Sequence, residues 1–167
     1  VKIAFIFLLL LIVFLRHGNL PTLQSTVDNA LSGTKGTYAV YVKNLETKEN
    51  YILNANRVFE AGSLYKIWLM EAIFEKIKKG ELREDDILTQ EIDVLNKKFE
   101  IESSDAELKE GAISMTVKSA LEQMITISHN YAAFLLTEKV GSVGIPLRVK
   151  VADVGLFFEK IYKGELV

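Results

Sequence analysis

Hydrophobic and polar positions alternate between clear periods and long gaps along this chain. Ile3 to Leu15 is an unbroken apolar run, with Lys2 before it and Arg16 and His17 after it. Thirteen residues make a helix of about 20 Å, short of a hydrocarbon core of about 30 Å. The run matches the apolar core of an export signal, but no small-x-small cleavage site follows. Residues 1–16 are therefore read as a signal peptide or a short N-terminal membrane anchor. Residues 17–36 hold Gly18, Pro21, Gly33 and Gly36 around a short helix expected near Leu23 to Leu31, and read as a linker.

Thr37 to Val42 is β-branched and aromatic and predicts a strand. The polar stretch Asn44 to Asn50 predicts a turn, and Tyr51 to Leu53 the return strand of a hairpin. Leu64 to Lys79 carries the strongest helical signal, with Ile67, Met70, Ile73, Phe74 and Ile77 in register. Trp68, Leu69 and Ala72 make its first turns apolar nearly all round, so that half should be buried. Gly80 supplies a left-handed cap. Arg83 to Met115 shows no period and is expected to be irregular. Thr116 reads as an N-cap, and Val117, Ala120, Leu121 and Met124 mark a second amphipathic helix. Tyr131 to Val140 predicts a third, ending at Gly141. Val154, Phe157, Phe158 and Ile161 predict a fourth, ending at Gly164. The string FEKIKKGEL at Phe74 to Leu82 recurs as FEKIYKGEL at Phe158 to Leu166. Its upstream flanks do not match, so it marks two similar helix ends rather than a repeat architecture.

Composition narrows the function. Lysine and arginine number 20 against 22 acidic residues, a net charge of -2. No nucleic-acid partner is expected from that balance. The chain has no cysteine, which excludes disulfides, thiolate catalysis and zinc–cysteine sites. With two histidines, His17 and His129, a histidine-rich metal site is not expected either.

Ser-x-x-Lys occurs twice. Ser32 to Lys35 lies among glycines with no helix following, and reads as loop. Ser63 to Lys66 opens the buried helix, where residues three apart share a face and Lys66 can reach the Ser63 hydroxyl. The helix N-terminus favours an alkoxide and a developing oxyanion there. A desolvated lysine can act as a base. Its bland alternative is a capping serine beside a solvated lysine. Ser128-His129-Asn130 is the one Ser-x-Asn in the chain and falls between two helices. A serine hydroxyl there can relay a proton, and an asparagine amide can both orient a lysine and bind a carbonyl. A plain capping turn is the alternative.

In this order the two motifs resemble the serine β-lactamase and penicillin-binding protein superfamily, closest to class A β-lactamases, whose signature adds K-T-G. The likeness runs through Tyr38 to Leu82, Thr116 to Gly141 and Ala152 to Leu166. It implies an α+β fold, with the N-terminal hairpin of an antiparallel sheet and a mainly helical domain, over residues 37–167. It implies Ser63 as the acylated nucleophile, Lys66 as its base or proton-transfer partner and Ser128 as the proton donor to the β-lactam nitrogen. Asn130 would bind the substrate's side-chain amide and Lys66. The Ser63 N–H would be half of an oxyanion hole. The implied substrate is a β-lactam or a peptidoglycan-like small molecule, with no cofactor and no metal. The implied location is periplasmic or at the cell surface. Oligomeric state is left open.

Three departures qualify the expected activity. His129 stands where class A enzymes usually have Asp, and reads as a tolerated supporting residue rather than a base. No K-T-G occurs: Lys35-Gly36-Thr37 has those letters out of order and Lys118-Ser119-Ala120 lacks the glycine. The deacylating glutamate of an E-x-x-L-N loop is also missing. Glu91 to Asn96 has one residue too many and comes too early, and Glu138 and Glu159 read as solvated helix residues. The chain is thus expected to be an incomplete member, shortened at its C-terminus and near Gly141 to Val149, with negligible β-lactam turnover by itself; the alternatives are a penicillin-binding-type acylating protein, a non-catalytic cell-wall-binding protein or an inactive fragment.

Overall fold

A computed structural model describes residues 21–141 and 144–166. The apolar run Ile3 to Leu15, and with it the export reading, lies outside them. Among the described residues no helix is long and apolar enough to cross a membrane. The chain divides into two compact units, one ending at Ala55 and one starting at Asn56.

The first unit holds helix α1 (Leu23–Leu31) and a hairpin of β1 (Val40–Lys43) and β2 (Asn50–Leu53). Thr22 caps α1 by accepting the Ser25 N–H at 3.1 Å. The strands pair antiparallel from Val40↔Leu53 to Lys43↔Asn50. Their turn is held by Asn44, whose Oδ1 accepts the N–H groups of Glu46 and Thr47 at 2.9 and 3.0 Å. Strand pairing starts later than Thr37, because the Tyr38 carbonyl accepts the Asn54 side-chain amide at 2.7 Å. That bond replaces the first rung of the ladder. The Tyr51 hydroxyl donates to Asp28 of α1 at 2.7 Å and ties the hairpin to the helix.

In the second unit β3 (Val58–Glu60) pairs antiparallel with β6 (Arg148–Lys150), Phe59 opposite Val149. A 3₁₀ turn at Gly62–Leu64 then leads into α2 (Tyr65–Lys78). The stretch expected to be irregular contains β4 (Ile87–Glu91), α3 (Ile92–Lys98) and β5 (Ala112–Thr116). β4 and β5 pair antiparallel from Ile87↔Thr116 to Glu91↔Ala112. Along β4 one residue, Leu88, is buried, so a two-residue period had almost no apolar letters to show. Next come α4 (Val117–Thr126), α5 (Asn130–Val140) and α6 (Val151–Lys163).

The core lies among α2, α4 and α5. Leu69, Ile73, Val117, Ala120 and Leu136 are fully sequestered, with Leu88 and Leu95 closing one side. Each buried leucine or isoleucine contributes about 2 kcal/mol of transfer free energy. Thr116 caps α4 as its letter predicts, accepting the Ser119 N–H at 3.1 Å. α6 ends at its Gly164 cap, as expected. Phe157 is buried against Trp68, but Phe158 is 48% exposed and Ile161 36%. The fold is α+β, as expected. Among the described residues there are three two-stranded pairs, where the sequence showed the hairpin alone.

Candidate active site

Strand β3 delivers the chain to the site. Beyond its last rung the Ala61 N–H still donates to the Leu147 carbonyl at 2.8 Å, and Ala61 is buried. Gly62 then turns the backbone at φ +51°, a conformation that suits a residue without a Cβ. Ser63 follows inside the 3₁₀ turn, exposed, in the first turn of the helical run, where N–H groups lack intrahelical acceptors. Neither this turn nor α2 is capped by a side chain, so the Ser63 hydroxyl is not spent on capping.

One turn on, Lys66 is 3% exposed, the one buried charged side chain among the described residues. Its Nζ donates to the Ser128 carbonyl at 2.6 Å, the Ser128 Oγ at 2.9 Å and the Asn130 Oδ1 at 2.8 Å. Those three acceptors match the three hydrogens of an ammonium. Burial pushes the Lys66 pKa below the ordinary lysine value, and the Glu107 carboxylate opposes that shift. The solvated-lysine alternative is therefore wrong for this position.

The Ser128 hydroxyl donates to Ser63 Oγ at 3.0 Å. The expected contact from Lys66 to Ser63 thus runs through Ser128, because the lysine hydrogens point to the loop between α4 and α5. That loop is bent to serve it. Ser128 adopts φ +57°, a left-handed conformation that costs a non-glycine residue about 1–3 kcal/mol and that clusters at functional sites. His129 caps α5, its Nδ1 accepting the Ala132 N–H at 3.3 Å. The loop holds both a cap and the lysine contacts, on different residues. His129 takes the cap, which leaves Ser128 and Asn130 free to face the lysine.

Sequence reasoning missed Glu107. Its Oε1 accepts the Asn130 Nδ2–H at 2.7 Å. No spacing announces it, since it lies in the polar stretch before β5. Its neighbour Leu108 is held by Tyr131 of α5, which is 1% exposed. The Tyr131 hydroxyl accepts the Leu108 N–H at 3.2 Å and donates to Asn96 Oδ1 at 2.7 Å. The Asn96 amide in turn donates to the Leu108 carbonyl at 3.0 Å.

Two other glutamates differ from expectation. Glu138 and Glu159 are not solvated: their side chains are 23% and 12% exposed and pair with Lys98 and Lys163. Each lies against a lysine on a helix, α3 for Glu138 and its own helix for Glu159, and that pairing draws it out of solvent. Among the described residues no cluster of histidine, aspartate and glutamate is placed to hold a metal ion. A hollow of about 410 Å³ lined by Tyr65, Phe99, Thr137, Ile145 and Leu147 is apolar and contains none of the groups that could move a proton to or from Ser63.

A helical α+β unit with a buried lysine between two serines and an asparagine is the architecture of the serine β-lactamases and penicillin-binding proteins. The model of the beta-lactamase enzyme family matches residues 22–150, and the chain belongs to that family. Among solved structures it is similar to PBP-A, with a TM-score of 0.68 and 19% identity over 86% of this chain and 62% of that one. A variant of PBP-A has been solved as an acyl-enzyme complex with penicillin G. A β-lactamase from Sphaerobacter thermophilus gives a TM-score of 0.67 and 20% identity, over 86% of this chain and 63% of that one. An ancestral class A β-lactamase gives 0.63 and 20%, over 89% and 66%. The chain spans less than two thirds of the length of each. No curated protein sequence matches it.

Proposed function

We propose that the chain carries the acylating site of a serine hydrolase of class A β-lactamase type, opening a β-lactam amide through an ester on Ser63. The observation that carries this reading is the unbroken line from Lys66 Nζ through Ser128 Oγ to Ser63 Oγ, at 2.9 and 3.0 Å. With Lys66 neutral, both hydroxyls of that line turn round. Ser63 gives its proton to Ser128 as its Oγ attacks the lactam carbonyl carbon, and Ser128 gives its own to Lys66. The tetrahedral oxyanion forms beside the first turn of α2, where N–H groups and the helix dipole favour negative charge. When the C–N bond breaks, Ser128 protonates the departing nitrogen and is resupplied by Lys66. The products are an ester on Ser63 and a ring-opened amine. The second Nδ2 hydrogen of Asn130 is available to a substrate carbonyl. The protein's location is the cell surface or periplasm, reached through residues 1–16.

A second reading is penicillin-binding-type acylation without rapid hydrolysis. It is favoured by the sequence between α5 and α6, Gly141 to Lys150, which contains no carboxylate to activate a deacylating water.

The full chain should take a fluorescent penicillin covalently, with the mass shift on Ser63 and none in Ser63→Ala. Lys66→Ala should slow labelling by about 10²–10⁴-fold, the usual weight of base catalysis. An adduct on Ser32, or none at all, rejects the assignment. Nitrocefin then separates the two readings: sustained turnover indicates hydrolysis, and a single stoichiometric burst indicates acylation alone.

A further inference from the structure

We infer that Glu107 is a positioning residue: by holding the Asn130 amide in one orientation it forces the lone pair of neutral Lys66 onto the Ser128 hydroxyl. The inference deepens the proposed function and rests on Ser63 being the nucleophile.

It follows from counting donors. Charged Lys66 offers three hydrogens to three acceptors: Ser128 O, Ser128 Oγ and Asn130 Oδ1. A lysine that acts as a base must first be neutral, with two hydrogens and one lone pair for the same three partners. The Ser128 carbonyl can only accept, so it keeps one hydrogen. A hydroxyl can accept or donate. The asparagine amide is ambiguous, since a flip about its last torsion exchanges oxygen for NH₂. A flipped Asn130 would donate to the lone pair and occupy the position the incoming proton needs.

Glu107 removes that ambiguity. An ionised carboxylate only accepts, and it takes the Asn130 Nδ2–H at 2.7 Å. Flipping would set the amide oxygen against the carboxylate and forfeit a charge-assisted bond. Asn130 Oδ1 therefore stays on Lys66 and claims the second hydrogen. One partner remains for the lone pair, Ser128 Oγ, and that is the atom bonded to Ser63 Oγ. The Tyr131 clamp on Leu108 places the carboxylate for this task.

The test compares wild type, Glu107→Ala and Glu107→Gln as full chains in detergent micelles, with far-UV circular dichroism verifying the fold. Glu107 is exposed, so both variants keep the core. Side-chain NMR reads the exchange of the two Asn130 Nδ2 protons, and mass spectrometry reads the rate of penicillin labelling. In wild type one Nδ2 proton should exchange about tenfold or more slowly than in Glu107→Ala, the scale of a hydrogen bond to a charged group. Labelling should fall about 10²-fold in Glu107→Ala, as for a misplaced catalytic group. Glu107→Gln should recover little of either, since its amide can present NH₂ as readily as oxygen and no longer fixes which way Asn130 points. A carboxylate that merely pinned a surface loop would leave the exchange of the Asn130 Nδ2 protons unchanged when it is removed. Equal exchange in wild type and Glu107→Ala overturns the inference, as does unchanged labelling once the amide is freed. Glu107-dependent protection of Asn130 in a protein that takes no label supports the positioning role and defeats the β-lactam reading.

Discussion

Lys66 is a cationic side chain placed where water cannot reach it, and the native state bears that cost through its proton. Its pKa lies below the ordinary lysine value, because burial disfavours the ammonium more than Glu107 supports it. Between the lowered native pKa and the unfolded one, the unfolded chain holds a proton that the native chain has released. Stability contributed by Lys66 therefore rises with pH across that alkaline window and declines as pH falls through the native pKa. Urea unfolding at stepped alkaline pH, wild type against Lys66→Met, should show a stability difference that moves in favour of wild type as pH rises. A difference that is flat, or moves the other way, contradicts the burial account. The Ser63-Leu64-Tyr65-Lys66 spacing put Lys66 on the helix face behind Ser63, but its contact with Ser128, 62 positions away, was not legible from that spacing. Glu107 was not legible. It reaches Asn130 across 23 positions of chain, and its placement depends on a tyrosine hydroxyl rather than on neighbours in sequence.

Several helices of this chain announce their ends in adjacent letters, whereas α3 and the β4–β5 pair do not. Both copies of the FEKI-x-KGEL string close with the same pair of bonds. Gly80 N–H donates to Ile77 O and Glu81 N–H to Lys76 O, at 3.0 and 2.9 Å; Gly164 N–H donates to Ile161 O and Glu165 N–H to Lys160 O, at the same distances. The glycines stand at φ +72° and +67°. A Cβ at either would meet nothing within 4 Å, so substitution strains the backbone alone. Gly80→Ala and Gly164→Ala should each cost about 1 kcal/mol, the ordinary penalty for a left-handed alanine. The urea midpoint should drop with unchanged slope. A markedly larger loss at one glycine would show that the two caps are not equivalent. Such ends are written in adjacent letters. The β4–β5 pair is built from ladder bonds between residues 21 to 29 positions apart, one strand burying Leu88 alone, and no reading of local period could find it.

At the scale of the molecule, the apolar run Ile3 to Leu15 carries the proposal that the site works outside the cytoplasm. A β-lactam or peptidoglycan-like substrate calls for a site outside the cytoplasm, and the run is the segment proposed to carry it there. Cell fractionation with a C-terminal tag should find the chain with the membrane and the tag open to external protease. A tag recovered in the soluble cytoplasm sinks the export reading. The core and the chemistry are also one structure. Tyr131 fills the interior with its ring and fixes the Glu107–Leu108 segment with its hydroxyl. Replacing it by phenylalanine keeps nearly all of the packed volume and deletes the clamp. Seen by natural selection, then, one oxygen atom separates a position free to drift among aromatic residues from one that must remain tyrosine. In a family where interior residues are ordinarily judged by size, this one is held by its polarity, and a survey of tolerated variants would show the contrast directly.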